Sequence, residues 1–287
     1  LVHTLVLWFA VWLGWQYTAW LTNWFYPEKP GIRGLLFALM LAALVMAAAI
    51  PEAFGTRALV FALAYVAVQF GKTAYIVVRL GNHAMAPNYR RMLAWLSASA
   101  VLWIAGALVA QARLPLWIAA VLCEYVSPMI GFRFPGLGRS DPGREWTVEG
   151  GHMAERCQLF VIVALGETLL ATGVMLADTE AWNTAIVSGV LATFLGTLAM
   201  WWLYFGTSSK EATEAITRSA DPGRIGAYFH YIHAILVAGI IVTAVGNDLV
   251  MAHPHEALGT AQVIVLVAGP AIYLLGSAIY KKVVYGS

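Results

Sequence analysis

Charge is what this sequence has least of. Only 11% of its 287 residues are Asp, Glu, Lys or Arg, where soluble domains usually carry about 25%. With 61% hydrophobic residues, that shortage excludes a water-soluble enzyme and marks a polytopic membrane protein. Cysteine is nearly absent as well. Cys123 and Cys157 fall inside apolar runs, fit no metal spacing and imply no disulfide framework, so both read as buried free thiols. There is no phosphate loop, no nucleophile elbow, no HExxH and no dinucleotide fingerprint, and nothing points to nucleic acid. The opening stretch does not read as a signal peptide. Leu1 is not an initiator Met, and LVHTLVLWFAVWLGW has no basic region ahead of its apolar run. The chain is expected to be a fragment, truncated at the N-terminus, that begins inside or just before a membrane helix.

What is present is apolar helix. Nine segments approach the roughly 20 residues that cross a hydrocarbon core about 30 Å thick. They lie near 2–25, 33–50, 56–79, 91–111, 114–131, 152–176, 182–206, 225–250 and 258–281. The fold expected is therefore all-α, a polytopic transmembrane helical bundle of about nine membrane helices forming a single multi-pass domain over 1–287. The longest connection, 132–151, is rich in Gly, Pro and Arg and reads as a connector.

The basic residues sort by side. Lys29, Arg33, Arg79, Arg90, Arg91, Arg133, Arg139, Arg144, Lys210, Arg218, Arg224, Lys281 and Lys282 follow odd-numbered segments, and only Arg57 and Arg113 follow even-numbered ones. The positive-inside rule makes the first group cytoplasmic, with the C-terminus inside. Glycines recur seven apart in the last four segments, as Gly166/Gly173, Gly189/Gly196, Gly239/Gly246 and Gly269/Gly276. Small residues on one stripe let membrane helices approach closely, so these four segments are expected to form a tight sub-bundle.

Against this background the polar residues stand out. GGHMAERCQLFVIVALGETLLAT places His152, Glu155, Arg156 and Gln158 within about two turns, then Glu167 inside an apolar run. A charged side chain at the centre of a membrane helix costs about 2.5–3.5 kcal/mol on insertion scales and is a functional hypothesis by default. The plainer alternative is that Glu167 is neutral or paired and joins two helices. His230 and His233 share a helix face three residues apart. With His152 and Glu155 they read in three ways: a proton or ion path, structural hydrogen-bonded histidines, or a weak divalent-metal cluster. Lys72 and Glu124 are further costly charges, and a buried Lys72–Glu124 pair is the simplest account. Gln69 and Arg79 share the Lys72 face. Asn247 and Asp248 are candidate outer partners of Glu167, and His253 and His255 read as loop residues.

HMAERCQLFVIVALGET, WQYTAWLTNWFYPE, MAAAIPEAFG and YIHAILVAGIIVTAVGNDLVMAHP together resemble the bacterial low temperature requirement A (LtrA) family. The resemblance covers nearly the whole chain and implies a multi-pass inner-membrane protein without a settled activity. The family's polar signatures fall here on His152, Glu155, Arg156, Gly166 and Glu167, and on His233, Gly239, Gly246, Asp248, His253 and Pro254. Its opening acidic helix has no counterpart in this chain.

The functional expectation is a proton-linked transporter or ion pathway. Its route would pass Glu167, Glu155, His152, Arg156, His230 and His233, and its partners would be membrane lipid and a proton or small solute. No cofactor is expected beyond a possible divalent metal. The alternatives are an intramembrane enzyme acting on a lipid or isoprenoid through a His/Glu cluster, and a non-catalytic accessory protein for growth in the cold.

Overall fold

The computed structural model describes residues 1–140, 150–179, 181–206, 214, 222–252 and 259–285. Arg144, Lys210, Arg218 and the stretch from His253 to Glu256 lie outside the described residues. Among the described residues there are nine long helices and no strand: α1 Val2–Trp24, α2 Pro30–Ala49, α3 Ala58–Leu80, α4 Ala86–Leu108, α5 Arg113–Met129, α6 Gly150–Asp178, α7 Thr184–Phe205, α8 Pro222–Met251 and α9 Thr260–Tyr285. Apolar segments take this form because hydrocarbon offers no partner for a backbone N–H or C=O, and a helix satisfies them internally.

Seven of these helices are long and apolar enough to cross a membrane among the described residues, so the expected count of about nine is slightly high. The two that fall short are α1, whose many Trp, Tyr, Thr and Gln side chains dilute its hydropathy, and α5, which has only 17 residues.

Local signals set the ends. Pro30 opens α2 and Pro87 sits in the first turn of α4, where a missing N–H is harmless. The Asn183 side chain accepts from the Ile186 N–H at 3.0 Å and caps α7. Gly81 ends α3 at φ 52° and Gly131 follows α5 at φ 63°, a region that favours glycine.

The contacts divide the chain into two compact units, Leu1–Thr147 and Val148–Ser287. The first unit packs around aromatic rings. Tyr65 and Trp103 have centroids 4.8 Å apart, and Trp103 and Trp117 5.0 Å. Gly106 makes room for this cluster, since a Cβ there would lie 2.6 Å from Trp117 Cδ1. At one end of the unit Arg113 donates to the carbonyls of Phe54, Gly106 and Ala107, tying α4 and α5 to the turn before α3. At the other end Arg91 donates to the Leu137 carbonyl at 2.7 Å and holds the loop after α5.

In the second unit α8 and α9 pack closely and antiparallel. Cβ atoms on Gly239 and Gly269 would lie 2.5 Å from the backbone nitrogens of Tyr273 and Thr243, and one on Gly276 3.1 Å from that of Leu236. Gly246 abuts Leu266 in the same register. Lipid tails give no hydrophobic drive for helix association, so close van der Waals approach of this kind carries it. The glycine stripe therefore works as expected on α8 and α9. On α6 and α7 it does not: Gly166, Gly173 and Gly196 have open space, and Gly189 meets only the Met251 side chain, at 3.6 Å. The α6–α7 contact runs instead through Thr168 and Thr197, whose hydroxyls are 3.0 Å apart.

Gly239→Ala and Gly269→Ala each force backbone apart, so each should destabilise the protein by about 1–3 kcal/mol, the usual range for overpacking. Gly196→Ala should be neutral. Thermal unfolding in detergent, followed by loss of the monodisperse peak on size exclusion, checks all three.

A buried polar constellation as candidate functional site

The best-built polar site in the structure lies inside the first unit. Its foundation is α3, which is not α-helical throughout. Residues Ala67–Gly71 form a π-turn between two α-helical halves, a feature that recurs at functional sites. A buried stripe of Phe61, Tyr65, Val68, Gln69, Lys72, Thr73 and Ile76 runs along the helix through this turn. The Thr73 hydroxyl donates to the Gln69 carbonyl at 2.8 Å and gives that turn a side-chain partner.

Glu124 of α5 points at this stripe and is buried. One of its carboxylate oxygens accepts from the Ser99 hydroxyl and from Trp103 Nε1 at 3.0 Å. The other accepts from the Tyr65 hydroxyl at 2.5 Å and from Gln69 Nε2 at 3.4 Å. Four donors meet two oxygens, a full set for a group that only accepts when ionised. The far side of Gln69 faces the cation: Lys72 Nζ donates to Gln69 Oε1 at 3.3 Å and to Thr18 Oγ1 at 2.9 Å. The amide orientation follows from its partners, because an ammonium has no acceptor and an ionised carboxylate no donor. The ammonium also lies 5.9 Å from the centre of the Tyr17 ring.

Glu124 and Lys72 are thus joined through one neutral amide. Glu124 lies eleven residues into α5, about 16 Å along it, and Lys72 fourteen residues into α3, about 21 Å, at 1.5 Å per residue. Glu124 is five residues from the C-terminal end of α5 and Lys72 eight from that of α3, and both are buried. Charges removed from water lose several kcal/mol each unless paired and hydrogen-bonded, and here Glu124 has four donors and Lys72 two acceptors.

The second unit holds the other candidates. His233 is buried, with Nδ1 at 2.6 Å from the Phe229 carbonyl and Nε2 at 2.6 Å from the Tyr204 hydroxyl. A carbonyl only accepts, so Nδ1 carries a proton and, in the neutral ring, Nε2 accepts from Tyr204. Tyr204, Phe229 and Tyr280 enclose the ring. His230 is also buried, with Nδ1 at 2.9 Å from the Gly226 carbonyl. Both histidines therefore bond back to the carbonyl four residues earlier on α8.

His152 and Arg156 are half-buried in the first turns of α6, and Glu155 is exposed. Glu167 is exposed too, whereas its neighbour Thr168 faces α7. Near the end of α8, Asn247 is half-buried and Asp248 exposed. Among the described residues no group of three His, Cys, Asp or Glu is placed to hold a metal ion. Cys157 is buried and Cys123 half-buried.

Reading the sequence singled out Lys72, Glu124 and Gln69 but not Ser99, Tyr65, Trp103 or Thr18. Hydroxyls and aromatics are ordinary in membrane helices, and nothing in their spacing shows that α3 and α4 bring Tyr65, Ser99 and Trp103 to one carboxylate and α1 brings Thr18 to Lys72. The π-turn has no signature in AVQFG.

The comparisons with known proteins return the family that the sequence motifs resemble. The sequence model described as Bacterial low temperature requirement A protein (LtrA) matches residues 1–287. An uncharacterized protein of Rhizobium meliloti (strain 1021) is 38% identical over 281 residues, covering 96% of this chain and 68% of that protein. No solved structure matches.

Removing one member of the constellation strands the other. Glu124→Leu should destabilise the protein by about 3–5 kcal/mol, the range for breaking a buried charge pair, whereas the double variant Glu124→Leu/Lys72→Met should recover a large part of that loss. A double-mutant cycle on unfolding in detergent checks this. Additive losses would show that the two charges do not communicate through Gln69.

Proposed function

This chain belongs to the bacterial low temperature requirement A family of multi-span membrane proteins, and within it we infer a proton-linked carrier or ion pathway whose working group is Glu124. The supporting observation is the Glu124–Gln69–Lys72 chain at a π-turn inside apolar helices. A charge pair in this position is costly, and a packing role alone is met as well by apolar side chains.

In this reading Glu124 takes up and releases the proton. The Ser99 and Tyr65 hydroxyls, each both donor and acceptor, pass it on. Lys72 is the partner charge, and Gln69 keeps the two from neutralising each other by direct contact. Protonation of Glu124 leaves Lys72 without its counter-charge, and that imbalance biases the helices toward a second arrangement. The protein would sit in the bacterial inner membrane, with the Lys- and Arg-rich helix ends and the C-terminus cytoplasmic. Glu167, with Glu155, His152, Arg156, His230 and His233, would form a second route through the other unit.

The completeness of the hydrogen bonds at Glu124 favours a second reading, a structural polar core in an accessory membrane protein. Proton flux into liposomes separates the two. The carrier reading predicts flux with the wild type and a loss of about tenfold or more in Glu124→Gln that keeps its fold, with a smaller loss in Glu167→Gln. Equal flux in wild type and Glu124→Gln would support the structural reading. A larger loss in Glu167→Gln would move the site to the second unit.

A further inference from the structure

The first turn of α2 gathers three cations. Arg33 and Lys29 flank it, and the Arg79 guanidinium from the end of α3 rests on it: a Cβ on Gly31 would lie 3.3 Å from Arg79 Nη2. The Tyr75 hydroxyl donates to the Gly31 carbonyl at 3.1 Å and fixes the two helix ends together, and Lys29 Nζ lies 6.0 Å from the Tyr26 ring centre. Lys29, Arg33 and Arg79 are all exposed. The nearby acid in sequence is Glu28, also exposed, which leaves an excess of positive charge. Like charges at one helix end repel, and the positive end of the α2 dipole adds to the repulsion. The two cations at the other end of this unit differ, because Arg57 and Arg113 donate to backbone carbonyls there.

Below the cations runs an apolar stripe. Phe37, Met40, Leu41 and Leu44 are 62%, 67%, 64% and 67% exposed. They lie four, seven, eight and eleven residues beyond Arg33 and so continue its face of the helix. A cationic rim above a continuous apolar strip matches one class of molecule in shape and charge. We propose that α2 and the end of α3 form a binding site for an anionic phospholipid, with the phosphate held by Lys29, Arg33 and Arg79 and an acyl chain lying along Phe37, Leu41 and Leu44. Basic residues beside a membrane helix attract anionic lipid, so the three together make binding selective for charge. This site is separate from Glu124 and stands whether or not the carrier reading holds.

The test is lipid retention by the full chain, released from detergent in native mass spectrometry. Phosphatidylglycerol is compared with phosphatidylcholine of the same acyl chains. The wild type should retain phosphatidylglycerol preferentially. The variant Lys29→Gln/Arg33→Gln/Arg79→Gln should lose about tenfold or more of that preference, and Arg133→Gln/Arg139→Gln, a control that removes two charges at the same end, should keep it. The proposal is overturned if the triple variant retains the preference, if the control loses it equally, or if the wild type shows none.

Discussion

One carboxylate organises the first unit. Glu124 collects donors from α3 and α4, namely Tyr65, Gln69, Ser99 and Trp103. Each donor is itself buried, so each depends on that carboxylate as much as the carboxylate depends on it. Its own backbone carbonyl is also reached by the Tyr17 hydroxyl of α1, at 3.4 Å. In hydrocarbon an unmet polar group has no water to fall back on, which makes the network close to all-or-none. The aromatic cluster follows from it: the Trp103 indole that donates to Glu124 packs on Trp117, whose own indole donates to the Trp103 carbonyl at 3.0 Å. Gly106 then has to be small.

The second unit is held on a different principle. Its α8–α9 pair depends on bare backbone contact at four glycines, and several polar side chains bond to their own helix. His230 and His233 bond to the carbonyl four residues back, and Thr243 does the same to Gly239 at 2.7 Å. Tyr273 reaches across to the Met200 carbonyl at 2.6 Å and links α9 to α7. Among its described residues the acids Glu155 and Glu167 are exposed.

The fold was legible because hydropathy is one-dimensional: an apolar run of membrane length announces a helix wherever its neighbours lie. The α1 and α5 segments mark the limit of that signal, since one is rich in Trp and the other is short. Lys72 and Glu124 were legible as charges in costly places. What joined them was not, because Gln69, Ser99 and Tyr65 acquire their meaning only when helices distant in sequence meet. Glu167 shows the converse limit. Sequence position gives its depth along α6, but a helix that is apolar on every side carries no mark of which way a given residue turns. Its neighbour Thr168, one step of rotation away, is the residue that finds a partner. The glycines divide in the same way: the seven-residue spacing was common to four helices, and packing used it on two.

The account rests on Glu124 changing its protonation state within the working protein. Infrared difference spectroscopy on the full chain in lipid, recorded across a pH step with Glu124→Gln to assign the carboxyl band, addresses this directly. The account predicts a carboxyl signal that comes and goes with pH, vanishes in Glu124→Gln and is altered in Lys72→Met. A spectrum with no pH-dependent carboxyl band lost in Glu124→Gln would show a fixed structural group and contradict the carrier reading.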